Sequence, residues 1–137
     1  MGRVVEISSR VLHAIAAEAA AAPGREVCGL LFGADGRVTD HLPCANVAAH
    51  PRDSFEIDPA ALIAAYRAER AGGRRIVGCY HSHPSGRAEP SGRDAEAAGV
   101  ADWLWLIAGG GEIRGWRVVA GGECHGRFDP VDMRPIR

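Results

Sequence analysis

The sequence predicts an α+β domain, with helices flanking one mixed sheet in an α/β/α-like arrangement. Three observations support that class. The chain has 137 residues, 47% of them hydrophobic, which suits one ordinary core and little more. Short apolar runs of strand composition are interleaved with amphipathic helical stretches. The interleaving lacks the regular strand–helix–strand rhythm of a doubly wound parallel sheet. One domain is therefore expected over residues 1–137.

Each element follows from local signals. Ser8 or Ser9 can cap a helix that runs through Val11, Leu12, Ile15 and Ala19 to Ala22, where Pro23 and Gly24 stop it. Glu26 to Phe32 is apolar enough for a buried strand, and Ala34-Asp35-Gly36 is a hairpin turn. Arg37 to Val47 returns as a second strand, interrupted by Pro43. Asp58-Pro59 starts a helix, since Asp caps well and Pro suits the first helical position. That helix carries Leu62, Ile63 and Tyr66 and ends at Gly72-Gly73. Arg75 to Tyr80 is a short apolar strand leading into His81-Ser82-His83-Pro84. A short helix is expected over Ser91 to Gly99 and a buried strand over Trp103 to Ala108. After the turn Gly109 to Gly111, strands over Glu112 to Ala120 and Glu123 to Phe128 meet at Gly121-Gly122.

Composition removes several function classes. The net charge of −1 argues against a dedicated nucleic-acid binder. No apolar run approaches the roughly 18 residues needed to span a bilayer. The opening MGRVVEISSR lacks the apolar centre of a secretory signal, and Glu6 stands where a myristoylation signal wants Ser or Thr. A cytoplasmic protein without membrane or nucleic-acid partners is expected. All 16 basic residues are Arg, so Schiff-base chemistry on a lysine is excluded. Alanine, at 24 residues, points with the missing lysine to a GC-rich coding bias. Cys28, Cys44, Cys79 and Cys124 form no Cys-x-x-Cys pair, which excludes a zinc ribbon, and all four are expected to be reduced.

The chemistry concentrates in His81-Ser82-His83-Pro84 and in Asp94, eleven residues after His83. In extended chain, residues two apart point the same way, so both imidazoles can face one point. Pro84 ends the strand, and the loop Ser85 to Pro90 can fold back to bring Asp94 in as an oxygen ligand. Two His and one carboxylate around zinc leave a fourth position for water, as in catalytic sites. Ser91-x-x-Asp94 is also a capping box, which would make Asp94 structural; spacing leaves both roles open. Hydrolysis needs a general base as well, and Glu26, Glu56, Glu89 and Glu96 are candidates. Cys28 and Cys79 are each two residues from a candidate, but core packing explains them better than metal ligation.

Glu26-Val27-Cys28-Gly29, His81-Ser82-His83-Pro84 and Ser91-Gly92-Arg93-Asp94 together resemble the JAMM signature of the MPN-domain metallopeptidases. That signature is an upstream Glu, then His-(Ser/Thr)-His-Pro, six residues, Ser, two residues and Asp, and every position matches. The element order is similar over nearly the whole chain, most closely to the short prokaryotic members. The resemblance implies one zinc per chain on His81, His83 and Asp94. It implies Glu26 as the acid/base and Ser91 as a donor to the tetrahedral oxyanion. It further implies hydrolysis of a bond after the C-terminal Gly-Gly tail of a ubiquitin-like or sulfur-carrier protein. A non-catalytic MPN-like binding scaffold is the alternative, though such scaffolds lack the ligand set. DNA-repair-associated relatives of the fold are disfavoured by the charge. The intervals around the motif leave no room for a chain-gripping insertion. A thin extended tail, adding to an exposed strand edge, is the expected substrate.

Overall fold

The computed structural model describes residues 4–137; the expectation about an N-terminal signal falls partly on residues outside them. The described residues form β1 (Val4–Ser8), α1 (Ser9–Ala20), β2 (Cys28–Ala34), β3 (Arg37–Cys44), α2 (Pro59–Arg70) and β4 (Ile76–Ser82). They continue with α3 (Gly92–Ala97), β5 (Leu104–Gly109), β6 (Glu112–Gly122) and β7 (Gly126–Ile136). No helix among them is long and apolar enough to cross a membrane.

The strands are ordered β1-β3-β2-β4-β5-β6-β7 and close into a barrel, because β1 also pairs in parallel with β7 from Val4↔Asp132 to Ser8↔Ile136. The α+β class holds, and the pairing is mixed. The expected single mixed sheet flanked by helices is present, and it closes on itself into a barrel. Closure rests on two strand segments that the local signals did not mark. β1 was not anticipated: its five residues run straight into α1 without a turn signal, and Ser8 occupies both the strand end and the helix cap position, with no side-chain capping bond. β7 continues to Ile136 through Pro130 and Pro135 rather than ending at Phe128. β2 and β3 are also shorter at one end than expected, beginning at Cys28 and ending at Cys44. Pro43 does not interrupt β3, because β1 pairs with β3 only at Arg37 and Val38 and leaves the outer side of Pro43 without a strand to donate to.

Alternation along the strands sends side chains to two faces. One face gathers Val5, Ile7, Leu31, Val38, Tyr80, Leu104, Leu106 and Val131 against Val11 and Ile15 of α1. Each of those two helix residues is fully buried, worth roughly 1.5–3 kcal/mol. The Tyr80 hydroxyl donates to Glu18 Oε1 at 2.7 Å and fastens α1 over β4. Gly29 makes room for that tyrosine, since a Cβ there would lie 2.4 Å from its ring. On the other face, Cys79, Trp105, Ile107, Trp116, Val118 and Phe128 pack together near α3. Leu30, Phe32 and Ile76 meet Leu62, Ala65 and Tyr66 of α2, while Ile63 points outward. Asp58 caps α2 by accepting from the Ala60 N–H at 3.1 Å, as expected. Helices thus cover both faces of the sheet, and the second face carries the histidines.

Candidate metal centre

β4 delivers His81 and Ser82 in extended backbone, and His83 follows directly. Period two turns the two imidazoles to one side and Ser82 to the other. Ser82 is buried, and it serves the backbone. Its Oγ accepts from the Val27 N–H at 2.9 Å, and its own N–H donates to the Val27 carbonyl at 3.1 Å. This two-way clamp ties the segment carrying Glu26 to the strand carrying the histidines.

Asp94 arrives from α3. The capping box is present: Asp94 N–H donates to Ser91 Oγ at 3.1 Å, and Ser91 N–H donates to Asp94 Oδ2 at 2.9 Å. The same Oδ2 lies 3.1 Å from His81 Nε2 and 3.2 Å from His83 Nε2, and the two Nε2 atoms are 3.1 Å apart. The cap is therefore formed without drawing Asp94 Oδ2 away from the two histidines. Four-coordinate zinc with ligand bonds near 2.0–2.2 Å holds its ligand atoms about 3.3–3.5 Å apart. The triangle of two nitrogens and one oxygen is close to one face of that tetrahedron, so these residues fit zinc.

Glu26 sits before β2 rather than on it. Its N–H donates to the Pro51 carbonyl at 2.7 Å, and its carbonyl accepts from Asn46 Nδ2 at 2.9 Å. Its residue is only 3% exposed, and Oε1 has no hydrogen-bond partner among the described residues. A carboxylate oxygen of Glu26 lies within 4.8 Å of both a His81 and a His83 nitrogen. Glu26 thus belongs to the same cluster as the two histidines, reached from a different segment of the chain than Asp94. The other candidate bases separate from it: Glu56 and Glu96 are exposed, and Glu89 is exposed and paired with Arg114 at 3.3 Å. Ser91, Glu26 and His83 line one cleft of about 370 Å³ with Arg52, Arg87 and Glu89. The Ser91 hydroxyl accepts from Asp94 and keeps its own hydrogen to donate into that cleft.

The electrostatics follow from burial and pairing. Burial pushes the Glu26 carboxyl up to about 7; the nearby His83 opposes this and the Asp94 charge adds to it. Burial pulls His81 below its ordinary value despite its contact with Asp94. For His83, burial is outweighed by hydrogen bonds to Asp94 and to the Arg87 carbonyl, and its pKa rises. Asp94 is buried too, but its bonds to His81 and His83 hold it well below the usual carboxylate range. All four cysteines are free thiols. Burial drives Cys28 up to about 12 and Cys79 well above its ordinary value, so both stay protonated core residues.

Four further residues shape the site in ways the sequence did not reveal. Ser82 is the clamp just described, and period two alone indicates that it points away from the metal side. Phe55 stacks on the His81 ring at 4.3 Å and 19°, while Trp105 meets the same ring edge-on at 5.5 Å. Asn46 uses its whole carboxamide on backbone groups, and no sequence pattern distinguishes it from an ordinary loop asparagine.

Residues 8–119 match the family described as prokaryotic homologs of the JAB domain. A desampylase of Haloferax volcanii is 43% identical over 91 residues, covering 65% of this chain and 66% of that protein. The match thus spans just under two thirds of that relative's length. A CysO-cysteine peptidase of Mycobacterium tuberculosis is 28% identical over 137 residues, covering 95% of this chain and 91% of that one. The solution structure of a protein from Desulfitobacterium hafniense superposes with a TM-score of 0.81 at 25% identity, covering 97% of this chain and 93% of that chain.

Proposed function

The chain belongs to the prokaryotic JAB-domain (JAMM/MPN) family, and from that premise we propose that it is a zinc-dependent peptidase or isopeptidase. Its bond of choice follows the C-terminal Gly-Gly tail of a ubiquitin-like or sulfur-carrier protein, and the whole chain acts as one domain. The observation that carries this is the triangle of His81, His83 and Asp94 with the buried carboxyl of Glu26 beside it. His81 Nε2, His83 Nε2 and Asp94 Oδ2 would hold one zinc. When bound there, zinc supplies Lewis-acid polarisation of a carbonyl and of a water.

The residues do the rest. Glu26 takes the proton from the attacking water and returns it to the leaving amine, and its place beside both histidines puts it within reach of both transfers. Ser91 donates its hydroxyl hydrogen to the developing oxyanion. Two substrate features fit the surroundings. Glycines pass a narrow cleft without side chains to clash. The closed sheet restricts strand addition, but Thr39–Cys44 of β3 has no strand on its outer side among the described residues and leads toward Asn46 and Glu26. A binding scaffold would give no reason to bury the unpartnered Glu26 carboxyl, which is destabilising on its own. The four free thiols suit a reducing compartment such as the cytoplasm.

The test is a panel of fusions ending in Gly-Gly, with and without extensions, run beside isopeptide-linked ubiquitin dimers and with metal content measured on the same samples. Cleavage after Gly-Gly that stops on chelation and returns with zinc is expected. Protein carrying one zinc that cleaves none of the tails would overturn the assignment.

A further inference from the structure

We propose that Asn46 is the positioning residue of this site, holding Glu26 on one side and the loop that backs His81 on the other. The proposal rests on the assignment of Glu26 as base and His81 as metal ligand. The Asn46 carboxamide has two donor hydrogens and one acceptor oxygen, and every one is used. Nδ2 donates to the Glu26 carbonyl at 2.9 Å and to the Ser54 carbonyl at 3.0 Å. Oδ1 accepts from the Ala48 N–H at 3.0 Å and from the Glu56 N–H at 3.1 Å. One side chain therefore binds the backbone of the candidate base and both flanks of Phe55.

Phe55 matters because of what His81 lacks. A metal-bound histidine usually donates its second ring nitrogen to a carboxylate or carbonyl, which fixes the ring. His83 does so: its Nδ1 meets the Arg87 carbonyl at 2.7 Å. His81 Nδ1 is buried and has no partner among the described residues. Its ring is held instead between the stacked face of Phe55 and the edge of Trp105. Trp105 is fixed in β5, paired with Cys79 on one side and Trp116 on the other. Phe55 lies on a loop, so its place depends on what orders that loop. Asn46 does this directly, and the Glu26 N–H bond to Pro51 closes the same loop onto the base. The exposed pair Arg93–Asp53 at 3.0 Å adds a weaker tie to α3. Base and ligand are thereby set relative to each other through one carboxamide.

Three variants test this. Asn46→Asp keeps size and acceptor but turns an oxygen toward two carbonyls. Asn46→Ser keeps one donor. Phe55→Leu removes the stacked face alone. Activity on a Gly-Gly fusion and the absorption spectrum of the cobalt(II)-substituted protein are measured for each, with circular dichroism as a check on folding. Asn46→Asp is expected to lower kcat at least about tenfold with KM within about threefold, and Asn46→Ser to fall between it and wild type. Phe55→Leu and Asn46→Asp should both alter the cobalt ligand-field bands. Variants that melt earlier yet keep wild-type kcat and wild-type bands would overturn the proposal, and so would a KM effect without a kcat effect. If Asn46→Asp does not fold, the same two readouts on Asn46→Ser and Phe55→Leu decide. A wild-type protein that binds cobalt but cleaves no Gly-Gly tail would sink the functional assignment; unchanged bands in all folded variants would then sink the positioning role separately.

Discussion

The two histidines stand two residues apart on one strand end, yet their surroundings differ in kind. His83 is partly exposed and oriented by a hydrogen bond from Nδ1 to the Arg87 carbonyl. A carbonyl only accepts, so Nδ1 carries the hydrogen of the neutral ring and Nε2 presents its lone pair to the metal position. His81 is fully buried, and nothing bonds to its Nδ1 among the described residues. Its far side is held by packing between Phe55 and Trp105, and its Nε2 meets Asp94 Oδ2 at 3.1 Å. Behind its ring, then, His83 is held by a bond and His81 by shape. They should therefore fail differently when disturbed.

The largest expected effect is removal of either ring. His81→Ala and His83→Ala should each abolish zinc binding at micromolar metal and, with it, activity. They should part company in stability. Truncating His81 opens a cavity against Phe55 and Trp105 and is expected to destabilise the metal-free protein by about 2–4 kcal/mol. Truncating His83, at the cleft edge, leaves its partners open to the cleft rather than an apolar cavity and should cost about 1–2 kcal/mol. Denaturant unfolding after chelation measures both, and equal losses would break the contrast.

Next come changes that spare the metal. Glu26→Gln is expected to retain one zinc by elemental analysis and to lose about 10²–10⁴ in kcat. Ser91→Ala should retain zinc, lose roughly 10²–10³ in rate, and destabilise by about 1 kcal/mol through the lost cap. Wild-type turnover in Glu26→Gln would shift the base to Glu89, which also lines the cleft.

A smaller effect appears in the metal-free protein as a function of pH. Glu26 has an ordinary pKa of 4.5 when unfolded and one raised to about 7 in the fold. Between those values the folded state binds the extra proton, so this group's contribution is full below about 4.5 and is lost as pH rises through about 7. Glu26→Gln has no such loss. Its stability relative to wild type should increase between pH 4.5 and 7 and level off above, by about 1–2 kcal/mol because the carboxyl borders an open cleft. Parallel stability curves for the two proteins would show that Glu26 ionises freely.

How much of this was legible in the sequence depends on the range of the interactions. The proposed site is local in sequence: His81 and His83 obey period two, and Ser91 and Asp94 obey the spacing of a helix cap. Helices α1 and α2 carry their own stop and start residues, Pro23-Gly24 and Asp58-Pro59. Barrel closure was not legible, because it depends on Val4–Ser8 finding Asp132–Ile136 across the chain. Neither segment announces itself: the first has no turn before α1, and the second contains prolines that normally argue against a strand. Asn46 and Phe55 were missed for a related reason. Asn46 bonds only to backbone groups, whose identity leaves no trace in residue types. Phe55 reads as one more apolar residue before α2 until the fold places it against His81.

The finest test addresses the hydrogen bond on His83 without touching either histidine. The partner is the Arg87 main-chain carbonyl, so its side chain should be dispensable: Arg87→Ala is expected to change zinc affinity by less than about twofold, near the scatter of neutral surface changes. What matters is where the carbonyl sits, and Gly109 sets that. A Cβ at Gly109 would lie 2.8 Å from both the carbonyl carbon and the oxygen of Arg87 and 2.9 Å from the oxygen of Gly86. Those are backbone atoms, which cannot rotate aside, so Gly109→Ala must push the loop away from β5 and lengthen the bond to His83 Nδ1. Loss of such an outer partner typically lowers metal affinity 10–100-fold. Competition with a chromophoric chelator would measure it. The expected order is Gly109→Ala well below wild type, with Arg87→Ala indistinguishable from it. The reverse order would mean that the guanidinium, and not the carbonyl, supports His83.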